Sequence, residues 1–262
     1  MSVPDHRVEP VSVRQVAWTT PFVWLGEGWH VFLAAPWLNL ALAAVPCGIG
    51  VAGTVLLLEN GLSPMIYAWA GGFMLVGPAL LCGYFQVADR IAGDQTPGVR
   101  DYLQGLVRAP LGVWAFALSG SFLLFVWFSD AAVIYTLSFG ARDPSTVGLG
   151  LALPLFLAYA TLTGAVLALI VFSITAFSVP LLFHRRTSSL VNAVVISVRA
   201  VRHNLGAMML WGALLASGGF IIFIVLPPAF LLTFPVIAYA SDRAYRDLCP
   251  TAAADSDLEL AR

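Results

Sequence analysis

The sequence predicts an all-α, polytopic membrane protein with six transmembrane helices and three cytoplasmic interfacial amphipathic helices. Three observations carry that expectation. The first is composition: 60% of the 262 residues are hydrophobic and 10% charged, with a mean hydropathy of +0.88. Soluble domains carry roughly 25% charged residues. A surface so poor in charge cannot be kept wet, so lipid must solvate much of it. The second is a series of apolar runs, each near the ~20 residues that a bilayer core demands. The third is the distribution of arginine. The chain has no lysine, and its 13 basic residues fall almost entirely between the same alternate ends of those runs.

Residues 1–19 are polar and are expected to lack fixed structure. They hold no apolar core with a small-residue cleavage site, so a cleaved signal peptide is not expected. Thr20-Pro21 reads as a helix start, because threonine caps and proline suits the first helical position. The helix over 22–35 places Phe22, Leu25, Trp29 and Leu33 on one side and Glu27 and His30 on the other, an interfacial pattern. Pro36 ends it. A first span covers 37–58 and closes at Glu59-Asn60-Gly61. A second runs from Ser63-Pro64 to about 91, with a bend expected at Pro78.

Thr96-Pro97 repeats the start signal. The helix over 98–108 separates Val99, Leu103, Leu106 and Val107 from the i, i+4 stripe Arg100, Gln104, Arg108. Pro110 opens a third span, 111 to about 138, and a turn at 140–144 follows. The fourth apolar run, about 147–183, is long for one span and is expected to tilt or protrude. It ends at His184-Arg185-Arg186. Thr187-Ser188 caps a third surface helix, with Leu190, Val194, Val198 and Val201 on one face and Asn192, Arg199, Arg202 and His203 on the other. Spans over 205–226 and 229 to about 245 follow, separated by Pro227-Pro228. The tail 249–262 is polar and expected to be disordered.

One unit therefore recurs three times: capped surface helix, short breaker, two spans. The units are about 20–93, 94–186 and 187–248 within a single membrane domain, 20–248. The breakers are Ala35-Pro36, Ala109-Pro110 and His203-Asn204, and the exits are Asp89-Arg90, His184-Arg185 and Asp242-Arg243. An even number of spans per unit makes the repeats parallel. Arg142 alone falls on the side opposite the other twelve arginines. The positive-inside rule then puts both termini and all three surface helices in the cytoplasm.

Few residues offer chemistry. Asp130 is the one acid well inside an apolar run, where an ionised carboxylate costs roughly 2.5–3.5 kcal/mol. It reads either as a proton or cation site, or as a residue near the outer headgroups bonded to a neighbouring Tyr or Ser. Glu59 reads as a loop acid. If the units ring a common axis, the three exits converge, and Arg90, Arg185 and Arg243 form an inner rim able to hold a phospholipid headgroup or another anion. The alternative is that they anchor helices and pair locally.

His6, His30, His184 and His203 all lie outside the deep spans, so no haem ligand is expected; no metal site or other cofactor is expected either. Cys47 and Cys82 flank the first outer turn at unequal depths, which disfavours pairing. No nucleophile elbow, phosphate loop or metalloprotease motif occurs, so no enzyme activity is expected. The basic residues lie on membrane-facing helices, which disfavours nucleic acid as a partner.

Gly28-Trp29 followed by Ala35-Pro36, then 177–182 (FSVPLL), 193–204 with Trp211, and Pro235 followed by Ala244-Tyr245-Arg246 give a pattern over about 20–248. On these stretches the chain resembles a bacterial family of predicted integral membrane proteins of unknown function. The resemblance implies membrane residence and six spans, and no activity. That family usually has Asp where this chain has His184. Some of its members carry a cytochrome c oxidase subunit label, but a haem-copper core needs several intramembrane histidines and this chain has none. The functional expectation is a non-enzymatic scaffold or assembly partner that binds membrane lipids and a membrane complex, a respiratory one being a candidate. A small-solute or ion transporter using Asp130 is the alternative.

Overall fold

The computed structural model describes residues 12–60, 66–139, 152–185, 187, 189–224 and 229–250. The Ser63-Pro64 start, the Arg142 turn, Pro227-Pro228, Arg7, Arg186, Arg262 and the tail from 251 lie outside the described residues. Among those described, the regular structure is helical throughout: α1 (Thr20–Ala34), α2 (Pro36–Glu59), α3 (Ile66–Ala92), α4 (Val99–Val107), α5 (Leu111–Phe139), α6 (Ala152–Thr175), α7 (Ser178–Phe183), α8 (Leu190–His203), α9 (Leu205–Ile224) and α10 (Phe230–Leu248). By length and composition, Pro36–Glu59 and Thr161–Phe183 each suffice to cross a membrane. A third candidate combines Val99–Val107 with Leu111–Trp127 across a 79° bend, and Leu205–Gly218 is apolar but shorter.

The breakers work by leaving backbone groups for side chains to satisfy. Ala35 is non-helical, and Pro36 has no N–H with which to continue the α1 ladder. Asn39, fully buried, donates its Nδ2 to the α1 carbonyl of Phe32 at 3.0 Å and accepts from Tyr239 Oη at 2.6 Å. At the last breaker Asn204 does similar work. Its Oδ1 accepts from Val16 N at 2.8 Å, and its Nδ2 donates to the carbonyls of Arg14 (3.0 Å) and Ala200 (3.1 Å). Arg14 N also donates to Leu248 O at 3.0 Å. Residues 12–17, expected to lack fixed structure, are thus a strap held by the Arg14–Leu248 backbone bond and by the Asn204 side chain.

The caps sit one or two residues from the expected ones. Thr19, with no side-chain bond, precedes α1, and Thr20 is its first helical residue. Gly98, not Thr96, precedes α4, because the Asp101 carboxylate accepts from Gly98 N at 3.0 Å. Ser189 caps α8, its Oγ accepting from Asn192 N at 3.3 Å. The fourth apolar run is also interrupted: α6 ends at Thr175, and α7 begins after a turn at Ala176-Phe177.

α1 lies on α10, α4 on α3, and α8 on α6 and α7; α3, α7 and α10 meet one another. The faces that make these contacts differ from the expected apolar faces. Pro21, Trp24, Gly28, Val31 and Phe32 of α1, Tyr102 and Gly105 of α4, and Ala193, Ser197, Ala200 and Val201 of α8 are buried. Phe22, Trp29, Leu33, Val99, Leu103, Val107 and Leu190 stay exposed. Close helix approach selects small residues, and bulky aliphatics are turned outward. Ser197 fills the turn between α6 and α7, donating to Ser173 O at 2.8 Å and accepting from Phe177 N at 3.2 Å.

Gly105 approaches α3 most closely. A Cβ there would collide with Cys82 O and lie 2.8 Å from Gly83 Cα. Both are backbone atoms, which no rotamer change can move. Gly105→Ala is expected to destabilise by about 1–3 kcal/mol, seen as a lower unfolding temperature in detergent. Gly26→Ala, where nothing lies within 4 Å, is the control and should be neutral or slightly stabilising. Equal effects at the two sites would refute the close packing of α4 on α3.

The buried core gathers where the surface helices lie. One cluster joins Trp24, Phe177, Leu181, Met208, Trp211 and Tyr245; a second joins Phe32, Tyr84, Tyr102 and Tyr239; a third joins Phe85, Val113, Phe116 and Val179. Away from that end protein cover is thin, with only 11% of the most apolar stretch of α2 buried.

Candidate functional site

The site lies where the ends of α3, α7 and α10 meet. α7 (Ser178–Phe183) is a turn and a half, buried over 178–182 and ended by His184; Arg185 follows in the left-handed region at φ 53°. That conformation is unusual for a residue with a Cβ. The imidazole enters between two rings. Tyr245 stacks on it at 5.2 Å and 4°, and Phe85 lies on another side at 6.2 Å and 22°.

His184 Nε2 is 3.0 Å from Asp242 Oδ1, and its Nδ1 is 4.0 Å from Asp89 Oδ2. Arg246 Nε donates to Asp242 Oδ2 at 2.7 Å, and its Nη2 donates to Asp89 Oδ1. The four side chains close a ring: Asp89, His184, Asp242, Arg246. Asp242 is only 2% exposed, and a carboxylate at that depth requires charge-assisted partners. It has two, one on each oxygen. Nε2 is within hydrogen-bond distance of Asp242, and the other ring nitrogen faces Asp89. Burial works against the charge of Arg246, which lies past the apolar part of α10. Asp242 and Asp89 more than offset that and hold the guanidinium above its ordinary range.

The predicted rim arginines each follow one member of this ring by a single residue and turn elsewhere. Arg90 Nε donates to Asp101 Oδ1 at 2.8 Å and its Nη1 to Gln95 Oε1, which ties α3 to α4. Arg243 Nε lies 3.6 Å from Glu27 Oε2, which ties α10 to α1 with both partners nearly half exposed. Arg185 is exposed. The exits do come together, but through Asp89, His184 and Asp242. Arg246, which joins two of them, was not among the predicted site residues; its signal was the i, i+4 spacing from Asp242 on one helix face.

Asp130 takes no part in this ring. It is exposed on α5 and accepts a hydrogen bond from Tyr159 Oη of α6 at 2.9 Å. Glu59 is the exposed last residue of α2. Cys47, Cys82 and Cys249 form no disulfide with one another.

Among the described residues the fold is all-helical, with apolar helices long enough to cross a membrane, the character of an integral membrane protein. Residues 65–184 match the model of a family described as "Predicted integral membrane protein (DUF2189)". That description names no oxidase, and the match contains two of the four ring residues, Asp89 and His184. No curated protein and no solved structure matches the chain.

Proposed function

We propose that the chain is a non-enzymatic scaffold, an assembly or lipid-interacting partner in the bacterial inner membrane. It would have six spans in three parallel two-span units, with both termini cytoplasmic. The observation that carries this reading is the closed ring of Asp89, His184, Asp242 and Arg246. Its charges are spent on one another, at the point where the units join, which suits a structural hub better than a site of turnover.

The packing supports the threefold plan. Each surface helix rests on the last helix of the unit before it: α4 on α3, α8 on α6 and α7, and α1 on α10. The close contacts fall at matching depths. Gly28 meets Val236, six residues before Asp242; Gly105 meets Gly83, six before Asp89; Ser197 meets Phe177, seven before His184. The arginine-rich end supports the orientation.

Mild-detergent purification at native expression is expected to co-retain phospholipid together with a membrane protein complex. Recovery of the protein alone and free of lipid would overturn the scaffold reading. Asp130→Asn is expected to leave solute uptake into vesicles unchanged. Abolished uptake would replace the scaffold with a transporter built on Asp130.

A further inference from the structure

α4 and α8 each carry a shallow groove on the side turned away from the core. On α8 it is lined by Val194, Val195, Val198, Arg199, Arg202 and His203. On α4 it is lined by Arg100, Leu103, Gln104, Val107 and Arg108. Both grooves combine arginines with aliphatic side chains that the protein leaves uncovered: Val195 is 49% exposed, Leu103 51% and Val107 87%. Among the described residues, Arg100, Arg108, Arg199 and Arg202 take part in no ion pair, whereas Arg90, Arg243 and Arg246 all do. Each groove lies just before an apolar helix starts, at Leu111 and at Leu205, which are themselves exposed.

We propose that these two grooves are binding sites for anionic phospholipid. The headgroup phosphate would lie among the guanidinium groups, and the first acyl carbons would lie on the valines and leucines. The inference rests on the membrane reading above and goes beyond it by naming the lipid class and the residues. Free guanidinium charge beside exposed aliphatic carbon complements a molecule that is anionic at one end and apolar at the other. A soluble acidic partner would not use the aliphatic half. The chain's own acidic tail, with Asp255, Asp257 and Glu259, follows Cys249, which belongs to the same core cluster as Ala200 and Val201 of α8. One tail does not account for two grooves on separate helices. The sites are distinct from the inner rim, where Arg90 and Arg243 are occupied by Asp101 and Glu27.

The test is native mass spectrometry of the full chain released from nanodiscs of phosphatidylglycerol or of phosphatidylcholine. The variants are the pairs R100Q/R108Q and R199Q/R202Q, their combination, and the matching Arg→Lys pairs. Each Gln pair is expected to lower phosphatidylglycerol affinity at its groove by about tenfold, with phosphatidylcholine unaffected and the Lys pairs close to wild type. An unfolding temperature equal to wild type confirms that the fold persists, since these side chains are exposed. If the folded combined variant keeps its preference for phosphatidylglycerol, the grooves are not the sites, and the scaffold reading stands. If both lipids are lost alike, the grooves are merely greasy. Preference that emerges only when 251–262 is deleted would assign the α8 groove to the tail. Wild type that retains neither lipid would defeat this proposal and the lipid-interacting scaffold together.

Discussion

Replacing Arg246 with leucine is expected to cost about 3 kcal/mol, the lower end of the range for breaking a buried ion pair by removing one partner. The lower end applies because the arginine side chain is 38% exposed while that of Asp242 is 3% exposed. Without the guanidinium, Asp242 keeps only His184, and Asp89 loses its short bond. Two carboxylates then face one imidazole. Arg246→Lys restores the charge but cannot place two N–H donors in the fixed fork that reaches both acids, so it is expected to recover only part of the loss. The double variant Arg246→Leu, Asp242→Leu removes both members and should be less damaging than Arg246→Leu alone, because no buried charge is left without its cation. Thermal unfolding in detergent of the three variants checks the order. Equal stability of wild type and Arg246→Leu would show that the ring does not hold the helix ends together.

That ring was half legible in the sequence. Asp89-Arg90, His184-Arg185 and Asp242-Arg243 all stand at the ends of apolar runs, which is enough to suggest that they gather. Pattern alone does not say which member of each pair turns inward, since adjacent helical residues point about 100° apart. The desolvation balance decides it: the imidazole fits between Tyr245 and Phe85, the two carboxylates share Arg246 beside it, and Arg90 and Arg243 reach outward to Asp101 and Glu27. The protein-facing sides of α1, α4 and α8 were not legible for a related reason. Periodicity finds the apolar face of α1, yet it cannot separate lipid from protein as the apolar neighbour. The protein-facing sides are instead marked by Gly28, Gly105, Ala193 and Ser197, and small residues contribute little to a hydropathy pattern. The strap at 12–17 gave no signal at all. It is held by the Arg14–Leu248 backbone bond and by Asn204, 188 residues away from Val16.

Trp24→Ala is the other large expected effect, about 3–5 kcal/mol for emptying a buried tryptophan site. Trp24 is 1% exposed and meets Trp211 edge-on at 5.9 Å and 87°. It shares a cluster with Phe177, Leu181, Met208 and Tyr245, so one side chain from α1 touches elements near the opposite end of the chain. Its Nε1 also donates to Asp247 Oδ2 of α10 at 3.1 Å. Trp24→Phe keeps most of the apolar contact and loses that bond. It should therefore fall between wild type and alanine, with a deficit of about 1–2 kcal/mol. Trp37→Ala is the contrast: Trp37 is 82% exposed, so the change should barely move the unfolding temperature in detergent. The two variants also separate local from global consequences. If α1 is fastened to α10 chiefly through Trp24, alanine there should expose the segment around 12–20 to limited proteolysis before the rest of the chain unfolds. Should Trp24→Ala and Trp37→Ala prove equally mild, the packing of α1 on α10 does not depend on this cluster, and the Asn204 strap and the Asn39–Tyr239 bond must carry it instead.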